Sequence, residues 1–286
     1  MASAADARAL AQTRVRWELL ANLVRKDLKV KYKNSALGFA WSLANPLLYL
    51  AVFSIVFSKF LLRGGIPHFA VYLMSGLLVW NFFATGVMGA TGAVTGSANL
   101  VKKVRFPRIV LPLASVGFAA VHFVLQLGVL FAVLLLLYRE AFGPQVWLLL
   151  PALVVATAFT VGMSLLASSL NVRFRDVEHL LEVALLAWFW LTPIVYPLAL
   201  VKEQLKGLFW LYMANPMATI VAAMQRAIYR DADPVLDDGR VVHVLASGGY
   251  GFYLRWLAVT GAVSLVLIAL GLFTFQRLEG DFAEEL

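Results

Sequence analysis

The chain has 286 residues, 62% of them hydrophobic and only 14% charged, with a mean hydropathy of +0.82. A soluble domain carries roughly 45–50% apolar and about 25% charged residues, so a soluble fold would have nowhere to hide this surface, and lipid is the solvent for most of the chain. The net charge of +8 and the pI near 9.8 do not point to nucleic acid, because the cations sit in short segments between long uncharged runs, as membrane topology arranges them. There is no cysteine, which excludes disulfides and thiolate sites.

The first 37 residues are charged and polar, unlike a cleavable signal peptide, so the first apolar span is expected to be retained. At 100° per residue, Trp17, Leu20, Val24 and Leu28 share one face of a helix and Arg25, Lys26, Lys29 and Lys33 fall opposite, while Leu19 and Lys31 break the pattern. Such a helix lies in an interface plane. Its cations, Arg25, Lys26, Lys29, Lys31 and Lys33, suit either a plain topogenic anchor or a dock for an anionic lipid headgroup. Residues 1–37 are thus read as an interface segment and 38–286 as the transmembrane domain.

Stretches free of Asp, Glu, Lys and Arg follow at 39–58, 69–90, 109–138, 145–170, 183–201 and 256–276, each near or above the roughly 20 residues a spanning helix needs. The expected fold is an all-α membrane protein with six transmembrane helices. Short connectors on the would-be cytoplasmic side hold fifteen Lys and Arg: eight in residues 1–37, then Lys102, Lys103, Arg105 and Arg108, then Arg173 and Arg175, then Arg277. The outer ones hold only Lys59, Arg63 and Arg139, so both termini are expected in the cytoplasm. Between the fifth and sixth spans, residues 208–227 are apolar enough to dip into the membrane as re-entrant or interfacial helices, and a polar loop follows at 231–251.

Several chemistries are missing. Nothing matches a GxxxxGK[ST] phosphate loop, so this chain does not hydrolyse ATP by that route. His68, His122, His179 and His243 are isolated, with no metal or acid–base spacing. The span interiors carry no ionisable carboxylate, lysine or arginine of the kind ion-coupled transporters use. His122 and Gln126, one turn apart, are the one polar pair there, read as interhelical hydrogen bonding or a transport role. A membrane-embedded glycosyltransferase would have only the 231–238 acidic cluster to work with. Tyr49, Phe53 and Phe57 recur every four residues on one face of the first span; Trp80, Phe82, Phe83, Trp188, Phe189, Trp190 and Tyr196 add to the aromatic content of the second and fifth. Aromatic planes stack on the apolar faces of sugars, but they also form interfacial belts. Pro46, Pro193 and Pro197 mark places where helices can kink.

The stretches DLKVKYKNSALGFAW (27–41), YLMSGLLVWNFF (72–83), NLVKKVRFPRIVLP (99–112), LNVRFRDVEHLL (170–181) and LTPIVYP (191–197), with Asn45–Pro46, Ala214–Pro216 and Arg226, resemble in order and placement the permease subunits of ABC-2-type exporters of bacterial polysaccharides, among them O-antigen, teichoic acid, capsule and galactan. The resemblance implies an inner-membrane homodimer, two separate ATPase subunits that hold ATP and Mg, membrane lipid and a polyprenyl-diphosphate-linked glycan as partners, and gate helices before the last span. Export of a drug or another lipid is the alternative. It makes the basic 99–112 segment a coupling element: Pro107 would project 101–106 as a short helix, with Val101, Val104 and Phe106 as apolar plugs among Lys102, Lys103, Arg105 and Arg108. The second basic connector, with Arg173, Arg175, Asp176 and Glu178, is expected to form salt bridges within the dimer or to touch the ATPase. The aromatic residues Tyr49, Phe53, Phe57, Trp80, Phe82, Phe83, Trp188, Trp190 and Tyr196 would line a glycan channel.

Overall fold

A backbone in lipid must satisfy its own hydrogen bonds, and an uncharged run does so most simply as a helix. A computed structural model describes residues 4–33, 35, 40–56, 68–104, 106–137, 143–229, 241, 244–245 and 249–285, without the side chains of residues 4–16, 42, 43, 45, 283 and 284. Its helices are α1 Ala4–Lys31, α2 Ala40–Ile55, α3 Phe69–Thr91, α4 Ala98–Lys103, α5 Val110–Leu137, α6 Leu149–Arg173, α7 Asp176–Trp190, α8 Leu198–Leu205, α9 Phe209–Met213, α10 Pro216–Ile228, α11 Tyr250–Leu278 and α12 Phe282–Glu285. Among the described residues there is no strand.

Among the described residues, four helical stretches are long and apolar enough to cross a membrane: Phe69–Thr91, Val110–Leu137, Pro144–Arg173 and Tyr250–Leu278. A fifth arises if Leu198–Met213 and Pro216–Ile228, bent by 110°, count as one broken span. Six uninterrupted spans are therefore not found among the described residues. The expected fifth span, 183–201, is cut: α7 begins earlier, at Asp176, and stops after 15 residues at Trp190. Pro193 and Pro197 forbid continuation, since each lacks a backbone donor and restrains the residue before it; Pro197 is extended at ψ 134° and α8 starts anew after it. The described part of the first span is a helix of 16 residues with Pro46 inside it.

α3 is buried on nearly every side, against α2, α5, α6, α7 and α10, and forms the axis of the bundle. Among the described residues the most extensive helix pairing is that of α6 with α11. A Cβ added to Gly162 would stand 2.9 Å from Leu267 Cβ and 3.0 Å from the Ile268 nitrogen; one on Gly271 would stand 2.8 Å from Leu165 Cβ and 3.1 Å from the Gly162 carbonyl. Small residues here let two backbones touch, the main source of helix association where lipid removes the hydrophobic drive. Gly271→Val should separate the pair, at a cost of about 2 kcal/mol from overpacking. Thermal unfolding of the purified protein checks this; an unchanged midpoint would show that the contact carries no stability. Hydroxyls inside the helices are quenched locally: Thr160, Thr91 and Ser264 donate to the carbonyls of Ala156, Val87 and Thr260 at 2.7–2.8 Å.

The two ends of the bundle differ. At the base, Val94, Val101, Leu111, Val172, Phe275 and Phe282 form a cluster that joins α4, α5, α6, α11 and α12. At the apex, Phe69, Tyr72, Leu73, Tyr229, Val244 and Leu245 form another.

Candidate functional site

The base carries the basic connectors. The helix in the first of them is Ala98–Lys103, a few residues before the expected 101–106, and Val104 is already extended at φ −127°, ψ 133°. The reason is local: Phe106 precedes Pro107 and is biased out of the helical region, so the turn closes earlier. Rotation of this short helix corrects one role. Val101 is 4% exposed, packed in the basal cluster, and cannot plug into another subunit. Leu100 and Val104 point outward beside the exposed Lys102 and Lys103, while Phe106 is half-buried against the cluster. Arg108 turns inward: its backbone N–H donates to Glu279 Oε1 at 3.2 Å and its guanidinium to the Glu279 carbonyl, which ties the connector to the end of α11. Arg105 lies outside the described residues.

The second connector is held by Asn171, a residue the charge pattern does not single out. Asn171 is 2% exposed. Its Nδ2 donates to the Thr91 carbonyl at the end of α3 (3.0 Å) and its Oδ1 accepts from the Glu178 backbone N–H in the first turn of α7 (3.2 Å). One amide thus fastens α3, α6 and α7 together, directly before α4. Among the described residues Arg173, Arg175, Asp176 and Glu178 form no ion pair within the chain; Arg173 instead lies over the Phe174 ring, 5.8 Å from its centroid. In the single chain these charges are exposed, with the two acids in the first turn of α7 where the helix dipole favours them.

The aromatic residues split in two. Trp80, Phe82 and Phe83 are buried within the single chain: Phe82 stacks on Phe123 at 5.1 Å, Phe83 on Phe159 at 5.3 Å, and Trp188 meets Phe83 edge-on at 5.4 Å. They pack into the core of the chain, and Phe82 also borders a cavity shared with α1, α2 and α5. By contrast, Tyr49 is 49% exposed and stacked on Phe53, and Trp190 is 61% exposed. Around Trp190 the outer face of α7 presents Leu180, Val183, Leu186 and Leu191 without cover in the chain. Phe57 lies outside the described residues.

At the apex the break after α7 is built from polar contacts that composition alone hides. Asn215 caps α10 by accepting from the Met217 N–H, accepts also from Trp188 Nε1–H (2.8 Å) and donates to the Leu191 carbonyl (3.1 Å). Tyr72 donates to the Tyr196 carbonyl, and the Tyr196 and Tyr212 hydroxyls meet at 3.2 Å. Gln225, fully buried, donates to the Pro193 carbonyl at 2.9 Å. The bent α8–α10 unit is therefore pinned to the end of α7 carbonyl by carbonyl, and at Pro193 the Gln225 amide takes the place of the donor that Pro197 lacks. The one sequence signal for it is the Asn–Pro pair at 215–216, a side-chain cap followed by proline in the first turn.

α1 does not simply lie beside the bundle. Leu23 and Asp27 share a cavity with Leu111 and Ala114, Val24 rests on Gly117, and Lys31 and Tyr32 reach His122, so the helix climbs along α5. Part of the apolar stripe read as lipid-facing is used on protein, since Leu20, Val24 and Leu28 are half-buried while Trp17 is exposed. Arg25, Lys26, Lys29 and Lys33 remain exposed.

The family of ABC-2 type transporters matches residues 18–229, a range that includes α2–α10 with both connectors and the bent unit. The chain belongs to that family. It is similar to the O-antigen export system permease proteins RfbA of Klebsiella pneumoniae, at 31% identity over 94% of this chain and 95% of that protein, and of Myxococcus xanthus, at 31% over the same shares. A second Klebsiella pneumoniae protein of that name is 30% identical. The chain is thus a membrane-embedded transporter subunit and not an enzyme, and ABC-2 permeases work with ABC ATPase partners.

Proposed function

We propose that this ABC-2 permease exports a lipid-linked polysaccharide from the cytoplasm across the plasma membrane of a bacterium. The observation that carries the cargo is the likeness to O-antigen export permeases, which runs almost end to end in both chains and so extends beyond the part the family shares. The geometry supports the reading in three places. The exposed aromatic and apolar faces of α2 and α7, with Tyr49, Trp190 and the half-buried Phe53 beside Tyr49, suit the joint between two copies of the chain, where a sugar polymer would slide over ring faces. The bent α8–α10 unit, pinned by Asn215 and Tyr196, suits a gate. The exposed Lys102, Lys103, Leu100 and Val104 suit an ATPase surface on the cytoplasmic side, with ATP and Mg held by that partner. In this arrangement two permeases and two ATPases form the exporter, both termini are cytoplasmic, residues 1–37 act as the entrance segment, and the cations Arg25, Lys26, Lys29, Lys31 and Lys33 attract the anionic carrier.

Removing the chain from its host should abolish surface polysaccharide and leave the lipid-linked glycan on the inner face of the membrane, with both effects reversed by the wild-type chain together with its ATPase. Immunoblots of surface glycan and extraction of the lipid-linked pool measure this. Normal surface glycan together with altered sensitivity to drugs would reject the cargo and favour a drug permease.

A further inference from the structure

The polar group in the span interiors that stands out in the sequence, His122, is met by the end of α1. Lys31 Nζ lies 3.4 Å from His122 Nε2, and the Tyr32 hydroxyl lies 3.4 Å from Nδ1 and 3.5 Å from Nε2. These three side chains stand at the mouth of a cavity of about 120 Å³ between the end of α1, the start of α2, α3 and α5, and Asn81, Thr85 and Gln126 complete its polar wall. The volume is enough for several waters or one phosphoryl group, and too small for a saccharide with its neighbours.

The charge balance of this cavity is one-sided. Among its described lining residues there is no acid. Lys31 as a residue stays exposed, but its ammonium is set against the rings of Phe118 and Tyr32, 5.2 and 5.8 Å from their centroids, and burial pulls its pKa below the ordinary lysine range. An ammonium has three N–H donors, of which the imidazole takes one. A partly desolvated cation bordered by amides and hydroxyls, without a carboxylate, gains most from an anion, since charge-assisted hydrogen bonds are roughly twice as strong as neutral ones. A phosphate also matches the mixture of donors around it.

The surface beside the cavity indicates what the phosphate is attached to. Trp41 lines the cavity at the start of α2, and Leu48, Val52 and Ile55 follow on the same helical face, all exposed. An apolar stripe that begins at an anion pocket fits a chain esterified to that anion.

We infer that the cavity between α1, α2, α3 and α5 is a phosphate-ester site, in which Lys31, Tyr32 and His122 receive the anionic head of a lipid-borne ligand whose tail lies along Trp41, Leu48, Val52 and Ile55. This deepens the proposed function and rests on its lipid-linked cargo. It also separates Lys31 from the other four entrance cations: they act as a diffuse surface charge, and it acts as a ligand.

Farnesyl diphosphate, inorganic diphosphate and farnesol, titrated separately against the detergent-solubilised permease–ATPase complex, test the site. Farnesyl diphosphate affinity should fall about tenfold or more in Lys31→Gln, recover in Lys31→Arg, and fall only about two- to threefold in Lys33→Gln, the loss of one charged hydrogen bond against the loss of a screened surface charge. His122→Gln gives a second variant, with co-elution of the ATPase as the check that each variant is assembled. Equal affinity for inorganic diphosphate supports the phosphate site and assigns it to a soluble ligand. Equal losses in Lys31→Gln and Lys33→Gln, or farnesol binding as tightly as farnesyl diphosphate, would overturn the inference. Wild-type affinity and normal glycan export in Lys31→Gln sink the pocket and leave the cargo intact, whereas Lys31-dependent binding in a complex that exports no glycan sinks the cargo and leaves the pocket.

Discussion

Lys102→Glu combined with Lys103→Glu is expected to strip the permease of its ATPase, with association weakened on the order of a hundredfold, because two attractive contacts become repulsive ones. Both lysines are exposed on α4, a helix of only six residues whose orientation is fixed from within by Val101. The double variant should therefore fold and insert normally, which sets it apart from any polar substitution of Val101, where the basal cluster of Leu111, Val172, Phe275 and Phe282 would be opened. Co-purification at low and raised salt is the measurement. In the wild type the complex should weaken as salt rises, since exposed charges are screened over about 10 Å at 0.1 M. A double variant that retains its ATPase would place the docking surface elsewhere. Val104→Ser, which removes an exposed apolar contact and no charge, should give a smaller and salt-independent loss.

Asn171→Leu is expected to cost about 2–3 kcal/mol, because it leaves the buried Thr91 carbonyl without its donor and the Glu178 N–H without its acceptor. For a chain of this size that is a fall of roughly 5 to 10 °C in unfolding midpoint. The functional loss should be larger than the stability loss. Asn171 is the link between the end of α3, which leads into α4, and the start of α7, which carries the exposed apolar residues Leu180, Val183, Leu186 and Trp190, so its removal disconnects the basal surface from that exposed face. Export should fail at temperatures where the variant is still folded and still binds its ATPase, with ATP hydrolysis retained. Asn171→Asp keeps the acceptor for Glu178 but sets a carboxylate against the Thr91 carbonyl, and should be no milder. Full export in the leucine variant would show that the connectors move independently.

How far the sequence carries can be followed at single residues. The basal connectors are legible because charge is excluded from lipid, so Lys102, Lys103, Arg173 and Arg175 have nowhere else to be. Val101 against Leu100 is not legible: in a helix of under two turns, a rotation of one residue exchanges the face that packs with the face that docks, and no periodicity of that length resolves it. The aromatic residues show the same limit over a longer stretch. Tyr49 and Phe83 have equal claims on a sugar by composition, yet one faces outward and the other is 1% exposed behind Phe159 and Trp188. In a chain that is apolar on every face, the contrast that marks inside from outside in a soluble helix is absent.

Helix continuity is hidden in the sequence for a related reason. Hydropathy measures how well a stretch dissolves in lipid, and 183–201 dissolves well. Continuity depends on donors, and Pro193 and Pro197 lack them. The carbonyls left over at Leu191 and Pro193 are taken by Asn215 and Gln225, amides 24 and 32 residues further along, so the break and its repair are both written in the sequence but far apart.

The amino-acid sequence by itself determined the solvent, the helical class and the placement of charge at the helix ends, because each follows from what a lipid environment forbids residue by residue. Only the tertiary structure decided which apolar surfaces are spent inside the chain, that α6 and α11 touch backbone to backbone through Gly162 and Gly271, and that Lys31 meets His122 across 91 positions. Those outcomes depend on the relative rotation and offset of helices, which are set by the fit of side chains at distant positions and leave no local trace in the order of residues.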